Sequence, residues 1–343
     1  MRYKLLGKSG LRVSELALGT MTFGDRWGWG ADQMESRHIF DAYVEAGGNL
    51  IDTANQYTQG QSEEFIGDYI ASEREKFVIA TKYSLTMNPS DPNGGGNHRK
   101  NLVQSLDASL KRLKTDYIDV YWLHAWDFMT PVEEVMRALD DQVRAGKILY
   151  IGISDTPAWI VAQANTMAAL QGWTPFIGLQ VSYSLLQREA ERELIPMAKA
   201  FDIGVTAWAP LSGGVLSGKY TGGRPADSKR VEVSGDRISE RNRSIVETVE
   251  SIAQDIGRTP AQVALNWIRQ QEGTPIPIIG ARTQEQIKDN LNCLAFELTP
   301  EQIDALTKAS SIDLGFPHDF LALDQVKQNI NGQFAGKIAK RNE

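Results

Sequence analysis

The segment YIDVYWLHAWDFMTPVEEVMRALDDQVRAGKILYIGIS, residues 117–154, contains one strand–helix–strand pattern. Residues 118–123 form a short apolar run typical of a buried strand, and residues 148–153 form a second one. Between them, residues 132–145 have the apolar spacing of an amphipathic helix. Thr130 and Pro131 favour the start of this helix, and Gly146 favours its end. We therefore predict a parallel β-α-β unit in this segment.

The same alternation recurs along the chain. Eight units of strand followed by helix predict the α/β class, with a parallel sheet closed into a (β/α)8 TIM barrel. An open, doubly wound sheet is the alternative, but no G-x-G-x-x-G follows the first predicted strand. The predicted strands are residues 16–18, 50–52, 78–82, 118–123, 148–153, 177–181, 204–208 and 276–279.

We expect a single domain over residues 1–343. A β-hairpin over residues 3–16 is expected to cover one end of the barrel, which extends from about 16 to 295. A long irregular segment, residues 212–242, follows the seventh strand, and its glycines and basic residues indicate a functional loop. Thr299 is a candidate N-cap for an extra C-terminal helix, and the tail continues to residue 343.

The composition excludes several classes of protein. Of the 343 residues, 42% are hydrophobic and 23% are charged, as in ordinary globular proteins. The one cysteine, Cys293, excludes an internal disulfide and favours a cytoplasmic location. We see no signal peptide and no run of about 18 apolar residues, so we expect no membrane span. The net charge of −7 argues against nucleic acid as a partner, and the oligomeric state stays open.

Chemically capable residues stand at the ends of three consecutive predicted strands. Asp52 ends the second strand, Lys82 ends the third, and His124 follows the fourth, while Tyr57 lies in the loop after Asp52. Barrel active sites lie at this end of the strands, so we expect the four side chains to meet there. Asp52 would pair with Lys82, whose charge is expected to lower the pKa of Tyr57 and make it a general acid. His124 would hydrogen-bond the oxygen that receives the proton.

Each of these residues also has an ordinary structural explanation. Aspartate is a common turn residue at a strand end, which would explain Asp52. A single tyrosine or histidine is more often a packing residue of the core, and a single lysine is more often a solvated surface charge. Together at one barrel end they favour protonation of a carbonyl oxygen during its reduction. A Schiff-base lyase that uses Lys82 is an alternative, although Asp52 would keep the amine protonated and so disfavour nucleophilic attack.

With these residues in place, the chain resembles the aldo-keto reductases, in their bacterial type, over residues 3 to about 312. The resemblance implies a (β/α)8 oxidoreductase that transfers a hydride to an aldehyde or ketone. Tyr57 would then be the proton donor, assisted by Lys82 and Asp52, and His124 would orient the carbonyl. The matching stretches are Gly19-Thr20-Met21, Asp52-Thr53-Ala54 with Tyr57, Ala80-Thr81-Lys82, Leu123-His124, Gly152-Ile153-Ser154, Gln180 with Tyr183, Ala207-Trp208-Ala209-Pro210-Leu211, and Pro277-Ile278-Ile279-Gly280-Ala281-Arg282-Thr283 with Gln286, Asp289 and Asn290.

The resemblance also implies a nicotinamide dinucleotide across the barrel mouth. Ser154 and Gln180 would bind its carboxamide, and Trp208 would stack on its ring. Asp155 stands where many relatives have asparagine. The backbone N–H groups of residues 211–214 would meet the pyrophosphate. The cofactor-binding residues implied in full are Gly19, Thr20, Met21, Asp52, Ser154, Asp155, Gln180, Trp208, Ala209, Pro210, Leu211, Gly213, Lys219, Gly280, Arg282, Gln286, Asp289 and Asn290.

Arg282 favours NADPH over NADH, because a guanidinium group binds a 2′-phosphate well. NADH stays possible, since Gly280 and Gln286 stand where some relatives have basic residues. Trp27, Trp29 and Trp126, with Tyr57 and His124, predict a pocket for a small aromatic or apolar carbonyl compound, and no metal is implied.

The alternative from another class of protein is a regulatory subunit of an ion channel, which would bind the cofactor with little turnover. It is considered because the potassium-channel β subunits are related to this family. The absence of a long N-terminal extension for gating lowers its weight.

Overall fold

The computed structural model describes residues 1–218, 239–334 and 336–338, and eight parallel strands form a closed barrel. The predicted fold class is therefore confirmed, and the doubly wound alternative is wrong, because the first barrel strand pairs with the last. A hairpin of β1 (Tyr3–Leu5) and β2 (Arg12–Ser14) precedes the barrel, as predicted. The barrel strands are β3 (Ala17–Gly19), β4 (Leu50–Asp52), β5 (Val78–Tyr83), β6 (Ile118–Leu123), β7 (Ile148–Ser154), β8 (Phe176–Ser182), β9 (Gly204–Trp208) and β10 (Ile276–Ile279).

Helices connect the strands and cover the outside of the barrel with their apolar faces. In the fourth helix, for example, Val135 and Leu139 are buried while Glu133 is exposed. The helices are α1 (Gln33–Glu45), α2 (Gln61–Ile70), α3 (Arg99–Leu113), α4 (Val132–Arg144), α5 (Ala158–Gln171), α6 (Leu194–Ala200), α7 (Glu240–Asp255), α8 (Pro260–Arg269), α9 (Gln284–Leu291), α10 (Pro300–Ala309), α11 (His318–Ala322) and α12 (Asp324–Asn331).

The register of β4, β5 and β6 sets the level of the candidate site. Asp52 lies opposite Ala80 of β5, and Lys82 lies opposite Trp122 of β6. Side chains two residues apart on a strand point to the same face. Asp52 and Lys82 therefore project to the same side of the sheet.

A tryptophan fills the interior of the barrel. Trp122 is fully buried among apolar residues from other strands. Strands β7 and β8 leave room for it with glycines: a Cβ at Gly152 would lie 2.2 Å from the indole, and one at Gly178 would lie 2.7 Å from it. Any side chain at these two positions would displace the indole, so the glycines fix how the barrel interior is packed.

The hairpin turn closes the N-terminal end of the barrel. Leu6 is fully buried, and the backbone N–H of Lys8 donates to the carbonyl of Asp202 at 2.8 Å. Gly7 has φ of +53°, and a Cβ there would lie 2.3 Å from the carbonyl oxygen of Ile177, at the start of β8. The turn thus lies against the N-terminal ends of β8 and β9, and the hairpin covers one end of the barrel as predicted.

Short 3-10 helices lie in the segments after β8 and β9. Before α6, which begins at Leu194, Arg188 binds Glu191 and residues 189–191 form a separate 3-10 turn. The predicted loop over residues 212–242 opens with a 3-10 helix over 212–217, and α7 begins at Glu240. Lys219, a predicted cofactor residue, lies outside the described residues.

Helix α10 is capped by Thr299, whose side chain and that of Gln302 bond reciprocally to the backbone. In the part of the chain that the structure describes, every helix is too short or too polar to cross a membrane.

Candidate active site

Four predicted side chains meet at the C-terminal ends of three adjacent strands. Asp52 ends β4, Lys82 lies in β5, and His124 directly follows β6. Tyr57 lies at the start of the turn after β4. The Nζ atom of Lys82 donates to Oδ2 of Asp52 at 2.6 Å and lies 3.1 Å from the hydroxyl of Tyr57. The predicted pairing of Asp52 with Lys82 is therefore present in the structure.

Lys82 is buried with a full set of partners. Its side chain has 0% exposure, and its third contact is the carbonyl of Thr53 at 2.8 Å. Burial lowers the pKa of Lys82, but the negative charge of Asp52 and the hydroxyl of Tyr57 outweigh burial and raise it. The ammonium group is therefore charged at neutral pH, which makes Lys82 a poor nucleophile.

The direction of the pKa shift of Tyr57 differs from the sequence prediction. Burial raises the pKa of Tyr57 above its usual value, and the nearby charge of Lys82 only partly opposes that effect. The predicted net lowering is therefore wrong for this structure. A raised pKa keeps the phenol protonated near neutral pH, which is the state that a proton donor needs.

The backbone beside Tyr57 is strained. Thr58 has φ of +47° and Gln59 has φ of +56°, although both carry side chains that disfavour this left-handed region. The hydroxyl of Thr58 donates to the carbonyl of Phe23 at 2.6 Å and fastens the turn to the loop after β3. Strained turns of this kind cluster at functional sites. This one was not predicted from the sequence.

His124 packs edge to face against Tyr57, with ring centroids 6.0 Å apart. Burial and the neighbouring charge of Lys82 lower the pKa of His124 to about 3. The imidazole is therefore neutral at ordinary pH. Its Nδ1 atom is buried and has no hydrogen-bond partner among the described residues.

Gln180 extends this cluster by one residue. Its amide Nε2 donates to Oδ1 of Asp52 at 2.9 Å, so both carboxylate oxygens of Asp52 have a partner within the protein. The sequence assigned Gln180 to the cofactor, and its contact with Asp52 was not foreseen. A contact between β4 and β8, which lie on different parts of the barrel, leaves no local pattern in the sequence.

Asp155 links two tryptophans of the barrel mouth. Its Oδ1 accepts a hydrogen bond from the indole Nε1 of Trp208 at 3.1 Å, and its carbonyl accepts one from the backbone N–H of Trp126 at 3.4 Å. Burial raises the pKa of Asp155, while Trp208, Lys82 and the hydroxyl of Ser154 oppose that rise. Ser154 is itself buried, and its Oγ has no partner of standard hydrogen-bond geometry among the described residues.

The glycine-rich turn after β9 uses some of the groups that were predicted for an anion. The backbone N–H of Ser212 donates to Ala209, and that of Gly214 donates to Leu211. These two N–H groups are therefore committed to the turn, and the contact of residues 211–214 with a pyrophosphate stays a prediction. Gly213 and Gly214 have φ of +69° and +96°, which explains the glycines there.

Three of the predicted cofactor residues, Arg282, Gln286 and Asp289, lie in α9 or just before it. The side chain of Thr283 caps the helix, and the side-chain oxygen of Gln286 accepts from the backbone N–H of Arg282 at 2.9 Å. Arg282 is exposed. Asp289 accepts hydrogen bonds from Thr259 and Gln262 and so fastens α9 to α8.

The remaining predicted cofactor residues lie around the same rim. Asn290 is buried, and its amide donates to the carbonyl of Gly280 at 3.4 Å. The hydroxyl and the backbone N–H of Thr20 both donate to the carbonyl of Asp52. Thr20 therefore supports the strand that carries Asp52. Gly19 ends β3, Met21 follows Thr20, and Ala209, Pro210 and Leu211 follow β9.

Aromatic residues of the predicted substrate pocket are partly buried. The rings of Trp27 and Trp29 are in contact, with centroids 5.6 Å apart, and both lie in the loop after β3. Trp126 lies in the loop after β6 and packs against the core. Behind the site, the buried Glu63 accepts hydrogen bonds from Thr81 and Arg112, and this pairing was not predicted from the sequence.

Fold and site together define a (β/α)8-barrel protein with an ionisable cluster at the C-terminal ends of its strands. More specifically, the chain belongs to the aldo/keto reductase family, whose family model matches residues 15–311. The predicted resemblance is thereby confirmed, and the family supports an oxidoreductase. Among the residues that the structure describes, no group of three or more His, Cys, Asp and Glu side chains is arranged to hold a metal ion.

Individual relatives are similar over most of their length. The chain is 37% identical to norsolorinic acid reductase of Aspergillus flavus, over 92% of this chain and 83% of that protein. It is 36% identical to an aryl-alcohol dehydrogenase of Pestalotiopsis microspora, over 93% of this chain and 85% of that protein. It is also 36% identical to aryl-alcohol dehydrogenase [NADP(+)] of Phanerodontia chrysosporium, over 96% of this chain and 91% of that protein.

Proposed function

We propose that this protein is an NADPH-dependent reductase of aromatic aldehydes and ketones, with Tyr57 as the proton donor. The observation that carries the proposal is the contact of buried Lys82 with both Asp52 and the hydroxyl of Tyr57. Carbonyl reduction needs a hydride at carbon and a proton at oxygen. The nicotinamide cofactor, when bound, supplies the hydride, and the side chains at the barrel mouth handle the proton.

Each of the four side chains has a distinct role in this proposal. Tyr57 is protonated near neutral pH, so it gives its proton to the carbonyl oxygen. Lys82 stabilises the phenolate that remains, and Asp52 keeps Lys82 charged and fixed. His124 is neutral and donates a hydrogen bond to the same carbonyl oxygen, which orients the substrate.

Groups at the barrel mouth fit a nicotinamide dinucleotide. The buried hydroxyl of Ser154 suits a carboxamide, and Trp208 is only partly buried, so its indole can stack on a flat ring. Exposed Arg282, beside the N-terminus of α9, suits a 2′-phosphate. This residue and the relative named for NADP(+) support NADPH over NADH.

The substrate is proposed to be a small aromatic carbonyl compound. Trp27, Trp29 and Trp126 supply apolar surface near Tyr57. The names of the relatives, norsolorinic acid reductase and aryl-alcohol dehydrogenase, support the same class. We also propose a cytoplasmic location, because Cys293 is a free thiol in the core.

Neither alternative function gains support. The relatives are named as reductases and dehydrogenases, which does not favour a channel subunit. The raised pKa of Lys82 keeps the amine protonated, which does not favour a Schiff-base lyase.

A two-part experiment tests the proposal. Quenching of tryptophan fluorescence is measured on titration with NADPH and with NADH, and we expect tighter binding of NADPH. Reduction of an aromatic aldehyde is then followed by loss of NADPH absorbance. Tyr57→Phe should bind NADPH as the wild type does, and its turnover should fall by about 10²–10⁴-fold, the usual contribution of a general acid.

Tyr3→Phe is the matched control, because Tyr3 is exposed and its hydroxyl bonds only to the carbonyl of Gly47 in the described structure. Its turnover should equal that of the wild type. A Tyr57→Phe protein with near-wild-type turnover would overturn the assigned proton donor, and a protein that binds neither dinucleotide would overturn the proposed function.

A further inference from the structure

The C-terminal arm, residues 314–334 and 336–338, follows α10 and lies beyond the residues that match the family model. It contains α11 and α12, and neither helix has a buried residue. The two helices have five and eight residues. Isolated helices shorter than about 12 residues are marginal in water, and most helical stability in proteins comes from packing of an apolar face. The arm therefore needs a surface to pack against.

The arm presents large apolar side chains to solvent. Phe316 has 84% exposure and Ile330 has 67%. Taking about 200 Å² for a phenylalanine and about 100 Å² for an aliphatic side chain, the arm exposes on the order of 600 Å² of apolar surface. One partner of a standard protein–protein interface contributes about 800 Å². The side chains concerned are Phe316, Phe320, Leu321, Leu323, Ile330 and Phe334.

Only the beginning of the arm is fastened to the barrel. Arg192, just before α6, donates to the carbonyl of Asp313, and His318 bonds Glu193 at 2.9 Å. From Phe320 onward, the hydrogen bonds that the described residues show join the arm to itself. The arm is thus positioned at its base, and its apolar side chains are left uncovered.

A second apolar surface lies near the base of the arm. Helix α5 has no charged residue, and it exposes Trp159 and Leu170 on the outside of the barrel. Helix α6 packs against α5 and follows the two residues that hold the base of the arm. The arm and α5 therefore flank the same helix. Two uncovered apolar surfaces on one side of a chain suit a symmetric dimer. In such a dimer, the first surface of each copy covers the second surface of its partner.

We infer that this side of the molecule is a dimer interface, in which the arm of each copy covers α5 of a second copy. The apolar area of the arm is close to the share that one partner of a stable interface contributes. A lipid surface is the poorer occupant, because the chain has a net charge of −7 and cellular membranes are mostly anionic. The inference is independent of the catalytic roles assigned above.

Light scattering coupled to size-exclusion chromatography tests the pairing in the full-length protein. The chain has a mass of 38.0 kDa, and we expect the wild type to have twice that mass at micromolar concentration. The double variant Phe316→Asp/Phe320→Asp, and separately Leu170→Glu, should have the mass of one chain with unchanged circular dichroism. Met34→Glu is the control, since Met34 is 67% exposed on α1, away from this side, and it should stay dimeric.

Cysteine cross-linking identifies the contact. Cys293 is buried, so cysteines introduced at Trp159 and Phe320 would be the reactive ones. A mixture of Trp159→Cys and Phe320→Cys proteins should give a disulfide-linked dimer of the two different variants. Three results would overturn the inference: a monomeric wild type, dimeric interface variants, or a Trp159→Cys/Phe320→Cys double variant that links within a single chain. A monomer that sediments with neutral lipid vesicles would do so as well.

Discussion

Replacing Lys82 by methionine should destabilise the protein in a measurable and specific way. The side chain of Lys82 is fully buried, and its loss leaves the carboxylate of Asp52 with Gln180 as its remaining side-chain partner, at 2.9 Å. Removing one member of a buried ion pair costs about 3–5 kcal/mol, because the other charge stays in a poorly solvated site. For 343 residues, an unfolding entropy of about 2 cal/mol/K per residue then predicts a melting temperature roughly 4–7 °C lower.

A double-mutant cycle separates the charge from the packing. Thermal unfolding is followed by circular dichroism for Asp52→Asn, Lys82→Met and the variant with both substitutions. The double variant has no unpaired charge at this position, so it should melt above Lys82→Met although it carries one more substitution. All three should lose carbonyl reduction. Two of them lack Lys82, and in Asp52→Asn the amine of Lys82 loses the carboxylate that keeps it charged and fixed.

Lys76→Met is the matched control, since Lys76 pairs with Glu73 on the surface and its side chain is 66% exposed. Exposed pairs contribute about 0–1 kcal/mol, so its melting temperature should change by roughly 1 °C or less. A buried, uncompensated charge at Asp52 is refuted if Lys82→Met melts as the control does, or if the loss in the double variant equals the sum of the two single losses.

Glu15, His124 and Asp155 give further tests through their pKa values and hydrogen bonds. Burial raises the pKa of Glu15, but Arg269 and Arg2 outweigh it and lower the pKa from 4.5 to about 2. Its stabilising contribution, on the order of 3 kcal/mol, is therefore complete above pH 4.5 and is lost as the pH falls toward 2, so Glu15→Gln should flatten the acid side of a plot of melting temperature against pH. The NMR shifts of the His124 ring should stay constant from pH 8 to 5, because burial and Lys82 lower its pKa to about 3, and a midpoint near 6.5 would contradict that burial. Asp155→Asn keeps an acceptor for Trp208 but removes a charge that raises the pKa of Tyr57, so the rate of reduction should begin to fall at a lower pH on the alkaline side. Asp155→Ala should also weaken NADPH binding, measured by fluorescence titration.

Much of the barrel could be predicted from the sequence because its strands are short, apolar and separated by amphipathic helices. Four predicted strands, 50–52, 118–123, 204–208 and 276–279, match the observed ones, and the other four differ from the observed ones by one residue at one or both ends. The meeting of Asp52, Lys82 and His124 was also predictable, since neighbouring parallel strands end at the same edge. Predicting that these three residues meet required only the order of the strands in the chain and the geometry of a parallel barrel.

The rest depends on distances that a linear pattern does not contain. Gln180 reaches Asp52 across 128 positions of sequence. Asp289, which was predicted for the cofactor, accepts hydrogen bonds from Thr259 and Gln262 at the start of α8. The pKa of Tyr57 was predicted in the wrong direction because the sequence shows the charge of Lys82 but does not show how deeply the hydroxyl is buried. The strained φ of Thr58 likewise appears only in the folded chain.

The filled interior of the barrel restricts how molecules reach Tyr57. The hairpin closes the N-terminal end, and Trp122, seated against Gly152 and Gly178, occupies the space behind the site. Two different ligands that meet at Tyr57 must therefore both enter from the C-terminal mouth of the barrel. Product-inhibition patterns would show whether they use this shared entrance in a fixed order.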